Sequence, residues 1–378
     1  KAIRNIAIMG HLGSGKTSLA ESLLYISKAI DKKGEVEKKT TVSDYLSEEH
    51  ARQTTLNASL IPIEWNEHKI NFLDTPGSEE FAGEVENVLS VVKGAVLVVD
   101  ASAKVQVGTE RAWQELRKRN IPTLILVNKM DKENIKFDEV LEDIREKLGK
   151  KAVPFCWPLG HDEGFDGFAR VIDRNASIYN GKECVDQEIY PDKMDKIDEL
   201  YATLTESVAE TSEELLEKFF AGEELSVDEI RQGLRVGTLG GEIFPVLVSC
   251  ATKNIGIRTL LNMIIDFMPS PEDLKEIEGI NPKTNEKIAR HTSDAEPLSG
   301  YVFKTMIDPF VGTINFFKVY SGQIKTGQEI YIPETDSVAK TTQLFVLRGK
   351  TQIPVDVLHA GDIGAMTKMP ELATAYTF

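Results

Sequence analysis

The chain has 378 residues, 28% of them charged and 41% hydrophobic; that length predicts two or three domains and the composition excludes wholesale disorder. Sixty acidic against 44 basic residues give a net charge of −16, which excludes a generic phosphate-backbone binder and with it free-DNA binding. No apolar run approaches the ~18 residues of a membrane-spanning helix, so no membrane association is expected.

The segment Lys1-Ala-Ile-Arg4 leads straight into a strand-like run, which reads as a chain without a signal peptide. Cys156, Cys184 and Cys250 match neither a disulfide framework nor a zinc site, so reduced thiols and a cytoplasmic location are expected. From 1 to about 150, short buried-strand runs at 6–9, 70–73, 95–99 and 123–127 alternate with amphipathic helical stretches such as Leu19, Leu23, Leu24 and Ile26. Such alternation predicts an α/β domain with a mostly parallel sheet and a ligand at the carboxyl ends of its strands. One more buried strand, 244–248, comes late and is followed by a helix with Leu260, Leu261, Ile264, Ile265 and Met268. The stretch 157–243 between them therefore reads as an α-rich insert. Ile197, Leu200, Leu204 and Val208 recur there at helical spacing, and Thr211-Ser-Glu-Glu214 and Ser226-Val-Asp-Glu229 fit capping boxes. Residues 157–242 hold 21 Asp/Glu against 8 Lys/Arg, most of the net charge: either a solvated helical face or a docking surface. Pro269-Ser-Pro271 closes the first domain, predicted as 1–275, and a polar linker runs over 276–295. Alternating strands at 300–305, 312–320, 329–332 and 343–347, punctuated by glycines, then predict a small antiparallel β-barrel over 296–378.

Three motifs carry chemistry. Gly10-His11-Leu12-Gly13-Ser14-Gly15-Lys16-Thr17 fits G-x-x-x-x-G-K-[ST] after a strand and before a helix. Its backbone N–H groups and helix N-terminus suit phosphates, with Lys16 on the β- and γ-phosphates and Thr17 on Mg²⁺. Asp74-Thr75-Pro76-Gly77 ends the next strand, where Asp74 can hold the Mg²⁺ hydration shell through water and the Gly77 N–H can meet a γ-phosphate. Asn128-Lys129-Met130-Asp131 follows a third strand; a carboxylate there accepts from guanine N1–H and N2–H₂, a donor pair adenine lacks. Cys250-Ala251 after the late strand would offer a backbone N–H to guanine O6.

In this order the motifs resemble those of translational GTPases, and specifically elongation factor G and its paralogues. The stretch before Ser249-Cys-Ala-Thr-Lys-Asn254 looks like that family's G′ insert; Asp308-Pro-Phe-Val-Gly312, Phe317-Lys-Val-Tyr-Ser-Gly322 and Ala360-Gly-Asp362 look like its second domain. The resemblance implies GTP/GDP and Mg²⁺ as cofactors and a monomer. It implies the bacterial ribosome as partner, through large-subunit rRNA and the stalk proteins, and a chain that is a fragment of a longer one. It also places Arg52 as the arginine kept at the end of switch I (31–55, a polar loop expected to be mobile without GTP). Thr55 is then the Mg²⁺-binding threonine, or Thr54 if the register slips by one. Three positions depart from the family: Gly13 replaces a P-loop Asp, Thr54 an apolar gate residue, and Ser78 the His that positions the attacking water. Two functions remain open: a ribosome-stimulated GTPase of elongation or translocation, with Lys16, Arg52 and the Ser78 position catalytic, or a GTP-dependent ribosome-binding module with little hydrolysis.

Overall fold

The computed structural model describes residues 2–160, 162–273, 276–308 and 311–378. Lys1, residues 274–275 at the predicted close of the first domain, and Pro309 and Phe310 of the 308–312 motif lie outside the described residues.

Runs of β-branched and aliphatic residues, buried on both faces, build the first sheet, as a parallel sheet covered by helices requires. In chain order the elements are β1 (Ile3–Gly10), α1 (Lys16–Ile26), α2 (Ser47–Arg52), β2 (Ser59–Trp65), β3 (His68–Asp74), α3 (Ala82–Val91), β4 (Gly94–Asp100), α4 (Val107–Lys118), β5 (Thr123–Asn128), α5 (Phe137–Leu148) and β6 (Ala152–Pro154). After an excursion, β11 (Phe244–Val248) and α9 (Ile257–Phe267) complete it. The strand order is β2-β3-β1-β4-β5-β11-β6, and every pairing is parallel except that of the edge strand β2. The register sets Ile8 beside Asp74, Gly10 beside Val98 and Asp100 beside Asn128, so the motif-bearing strand ends line one edge.

The excursion is α-rich as expected, and it also carries strands that the helical spacing does not announce. It opens with a four-stranded antiparallel meander, β7 (Cys156–Leu159), β8 (Gly167–Arg170), β9 (Asn175–Tyr179) and β10 (Cys184–Gln187). Only then come α6 (Pro191–Ala209), α7 (Glu213–Phe220) and α8 (Val227–Gly240). Each strand is four or five residues long, too short to show period-2 alternation against the helical signal that follows. The Ser226–Glu229 capping box forms as expected, whereas α7 is capped one residue later than expected, by Ser212 accepting from the Leu215 N–H.

The polar stretch read as a linker carries a hairpin, β12 (Ile277–Ile280) with β13 (Lys287–Arg290). Beyond it, β14 (Ser299–Asp308), β15 (Gly312–Ser321), β22 (Ile363–Thr367), β19 (Leu344–Arg348) and β20 (Thr351–Val355) pair in that order, all antiparallel. The short pairs β16 (Ile324–Lys325) with β21 (Val357–Leu358) and β17 (Glu329–Ile332) with β18 (Ser337–Lys340) complete the small β unit. It is joined to the first sheet by polar contacts: Asp362 accepts from Lys69 Nζ at 2.7 Å and from Asn71 Nδ2 at 3.0 Å, and Asn5 Nδ2 donates to Gly361 O.

Candidate functional site

The loop 10–17 turns from β1 into α1 at the aligned strand edge. Glycine is required at Gly15: its φ is +95°, and a Cβ there would stand 2.4 Å from Asn128 Nδ2. That closeness joins two motifs, since Asn128 Nδ2 donates to Ser14 O at 3.1 Å while its Oδ1 accepts from Ser249 Oγ and the Ala251 N–H. Lys129 Nζ bridges Gly13 O and Asp100, both at 2.6 Å. Met130 is buried, its N–H donating to Ser249 O, and Asp131 stands at the mouth of the loop, 3.6 Å from Lys253 Nζ. The Cys250 N–H is committed to Ile255 O and the Ala251 N–H to Asn128 Oδ1, so of this pair it is Ala251 that lies against the Asn128 side chain. Ser22 Oγ and Lys33 Nζ hold the Ala251 carbonyl at 2.6 and 2.5 Å.

On the same loop Lys16 is almost fully buried, its Nζ donating to Gly10 O and His11 O. Burial pulls its pKa down to about 8, opposed by the nearby Asp74 and Asp44 carboxylates. His11 Nδ1 accepts from the Gly108 N–H, Leu12 is exposed, and Ser14 is buried. Gly77 closes over this group: a Cβ there would fall 2.6 Å from Lys16 Nζ and 2.7 Å from Leu12 N. Thr75 Oγ1 donates to Ile8 O, which together with the buried Pro76 locks the turn after β3.

Thr17, Thr55 and Asp74 come together as expected, and Asp44 joins them. Thr55 Oγ1 lies 3.0 Å from Thr17 Oγ1 and donates to Asp44 Oδ1 at 2.8 Å. Asp74 is fully buried, and burial together with the Asp44 charge raises its carboxyl to about 8, with Lys16 opposing. Burial raises Asp44 to about 6. Neither Asp74 oxygen has a partner of hydrogen-bond geometry, although the Thr17 and Ser43 hydroxyls lie near enough to oppose the rise. Two buried carboxylates, one with both oxygens orphaned, and two hydroxyls are an all-oxygen donor set that a hard divalent cation would satisfy. No cluster of three or more His, Cys, Asp or Glu occurs among the described residues, and a magnesium ion that shares phosphate oxygens needs none.

Thr54 donates its N–H to Glu49 O and contributes no side-chain bond to the cluster, whereas the Thr55 hydroxyl lies within it. Two buried carboxylates, Glu21 and Glu49, accept from backbone groups along and just beyond the stretch 31–55. Glu21 accepts from the Gly34 and Val42 N–H groups, and Glu49 from those of Tyr45, Leu46, Leu56 and Asn57. Ser78 is half-buried in a cleft of about 260 Å³ with Gly10, Gly77, Gly108 and Arg111. Glu79 pairs with Arg111, and Glu80 faces Arg52 at 3.8 Å, so the acidic neighbours of Ser78 are engaged at the surface. Sequence reasoning misses Asp44, Glu21, Glu49 and Lys33.

Residues 1–185 match the family model described as the elongation factor Tu GTP binding domain, and residues 297–376 match elongation factor G domain 2. The crystal structure of ttk003000868 from Thermus thermophilus superposes with a TM-score of 0.88 at 30% sequence identity; it is covered over 54% of its length, against 100% of this chain. The present chain thus spans about half the length of that protein. No helix among the described residues is long and apolar enough to cross a membrane. An elongation factor Tu-type GTP binding domain followed by elongation factor G domain 2, with the structural match over the whole chain, makes this an elongation factor G-like GTPase chain with its G domain and second domain.

Proposed function

We propose that this chain binds GTP and GDP with Mg²⁺ and belongs to a ribosome-stimulated GTPase of translation elongation or translocation. The observation that carries the reading is the gathering of Thr17, Thr55, Asp44 and Asp74 beside Lys16, on a loop whose Ser14 and Gly15 touch Asn128, itself bonded to Ala251. In this reading the P-loop N–H groups and Lys16 hold the phosphates, and Asn128, Asp131 and the Ala251 N–H select guanine. Thr17 and Thr55 would ligate the Mg²⁺, with Asp74 and Asp44 on its water shell; the ion supplies charge neutralisation to the β- and γ-phosphates. Gly77 would present its N–H to a γ-phosphate, and loss of that group would release both switches. The fragment divides, on this proposal, into a nucleotide domain at 1–275 with its insert at 157–243, a connector at 276–295, and a β domain at 296–378. Family membership favours the ribosome as partner, through rRNA and stalk proteins, and a cytoplasmic monomer.

A second reading, a GTP-dependent ribosome ligand with little hydrolysis, is favoured by Ser78. A short neutral side chain stands where the family places an imidazole, and Glu79 and Glu80 are occupied by Arg111 and Arg52. Phosphate release from GTP by the full-length protein, with and without ribosomes, tests both. Stimulated turnover supports the enzyme, and nucleotide-dependent ribosome binding without turnover supports the ligand.

A further inference from the structure

Away from the cleft, one side chain of the β domain grips both segments that answer to a γ-phosphate. Lys304 on β14 is only 5% exposed. Its Nζ donates to Ala58 O at 3.0 Å and to Glu84 Oε2 at 2.5 Å, and the same carboxylate oxygen accepts the Ala58 N–H at 2.8 Å. Both backbone polar groups of Ala58 are therefore held by one part-buried ion pair, its lysine buried and its carboxylate half-buried. Ala58 lies three residues beyond Thr55, and Glu84 lies in the first turn of α3, the helix that follows Gly77 and Ser78. The β14–β15 ladder shifts register between Val302 and Lys304, leaving Phe303 unpaired. A bulge of this kind re-aims the neighbouring side chain, and here it leaves Val302, Phe303 and Lys304 buried in succession. The same β domain also touches 31–55 through Tyr45 Oη on Met306 Sδ, and the far end of α3 through Lys318 Nζ on Val91 O and Tyr320 Oη on Ser90 O.

We infer that Lys304, with Glu84, is a positioning residue that makes the site prefer a nucleoside triphosphate to a diphosphate; the inference rests on the nucleotide reading above. A triphosphate with its metal needs Thr55 and Gly77 in place together, while a diphosphate needs neither. A ligand shifts a conformational balance only through such a difference. The Lys304–Glu84–Ala58 node holds the two segments in one arrangement, so their ordering is already accounted for before the triphosphate arrives. By linkage, the triphosphate in turn strengthens the node.

The test measures affinities of GDP and of a non-hydrolysable GTP analogue, both with Mg²⁺. The proteins are wild type, Lys304→Met, Glu84→Gln, the double variant and Lys304→Arg. Expected is a loss of preference for the analogue of roughly tenfold in Lys304→Met and in Glu84→Gln, within the usual range of couplings between sites. GDP affinity should stay near wild type and report that the variants fold. The double variant should lose no more than either single one, and Lys304→Arg should recover part of the preference. Should Lys304→Met not fold, Glu84→Gln carries the same test. Equal losses for both nucleotides, or an unaltered preference, overturn the inference alone; a wild-type chain that binds neither nucleotide overturns the nucleotide reading and this inference with it.

Discussion

The Thr17 and Thr55 hydroxyls stand 3.0 Å apart although 38 residues separate them in the chain. Asp44 Oδ1 and the Glu49 carboxylate fix Thr55 and its neighbours within their own segment, and Glu21 ties that segment back to α1 through the Gly34 and Val42 N–H groups. The structure thus presents two hydroxyls and two buried carboxylates in one place.

That crowding gives a pH dependence. The folded-state pKa values of Asp44 and Asp74 lie above the ordinary aspartate value of 3.8, so the folded chain retains protons that the unfolded chain has released. The contribution is complete below about pH 4 and lost as pH rises through the raised values, the two groups titrating as a pair. Calorimetry of the metal-free protein should show a melting temperature lower at pH 8 than at pH 5 by roughly 5 °C, an order-of-magnitude figure. Saturating GDP with Mg²⁺ should flatten the slope, and Asp44→Asn should reduce it. A flat metal-free profile would contradict the buried-pair electrostatics.

Base recognition gives the second prediction. Asp131→Asn leaves one acceptor and one donor where guanine needs two acceptors, so GTP affinity should fall by about 2–4 kcal/mol and preference should shift toward xanthine nucleotides. Calorimetric titration with unchanged GTP affinity would remove Asp131 from the site.

A third concerns Gly15. An alanine there would need a φ of +95° and would drive its Cβ into Asn128 Nδ2. Gly15→Ala should destabilise the fold by about 1–3 kcal/mol and weaken GDP binding about a hundredfold or more, because the loop and Asn128 must part. Retained GDP affinity in a folded variant would show that the contact between the two loops is dispensable.

The fourth returns to Ser78. In the full-length protein on ribosomes, Ser78→His should raise GTP hydrolysis at least tenfold, about 1.4 kcal/mol of barrier. Wild-type turnover already equal to that of a His-bearing factor would instead mean that another group orients the water.

What can be seen in the sequence and what cannot divides along physical lines. The loop 10–17, Asp74–Gly77 and Asn128–Asp131 are contiguous because backbone N–H groups and strand ends must converge on a single ligand, and contiguous strings are legible. Lys304, Glu21 and Glu49 do their work on backbone groups brought near only by folding, and a lone lysine or glutamate carries no local signature. Asp44 is hidden for the same reason, inside a polar stretch that reads as a loop. The meander of β7 to β10 is masked by the stronger helical periodicity of Ile197, Leu200, Leu204 and Val208, all buried as that spacing requires.

The placement of β11 has a bearing on how the protein is made. It lies between β5 and β6, yet is synthesised about 90 residues after β6. At roughly 5–20 residues per second, translation leaves the place next to the sheet's edge open for about 5–20 s after both flanking strands have emerged. During that interval β5 and β6 expose unpaired edges to the crowded space outside the exit tunnel. The meander and its three helices must collapse as a separate unit before the gap can close. The loop that carries Ser249 and Ala251, just beyond β11, can meet Asn128 only when this last strand is inserted between two that are already waiting.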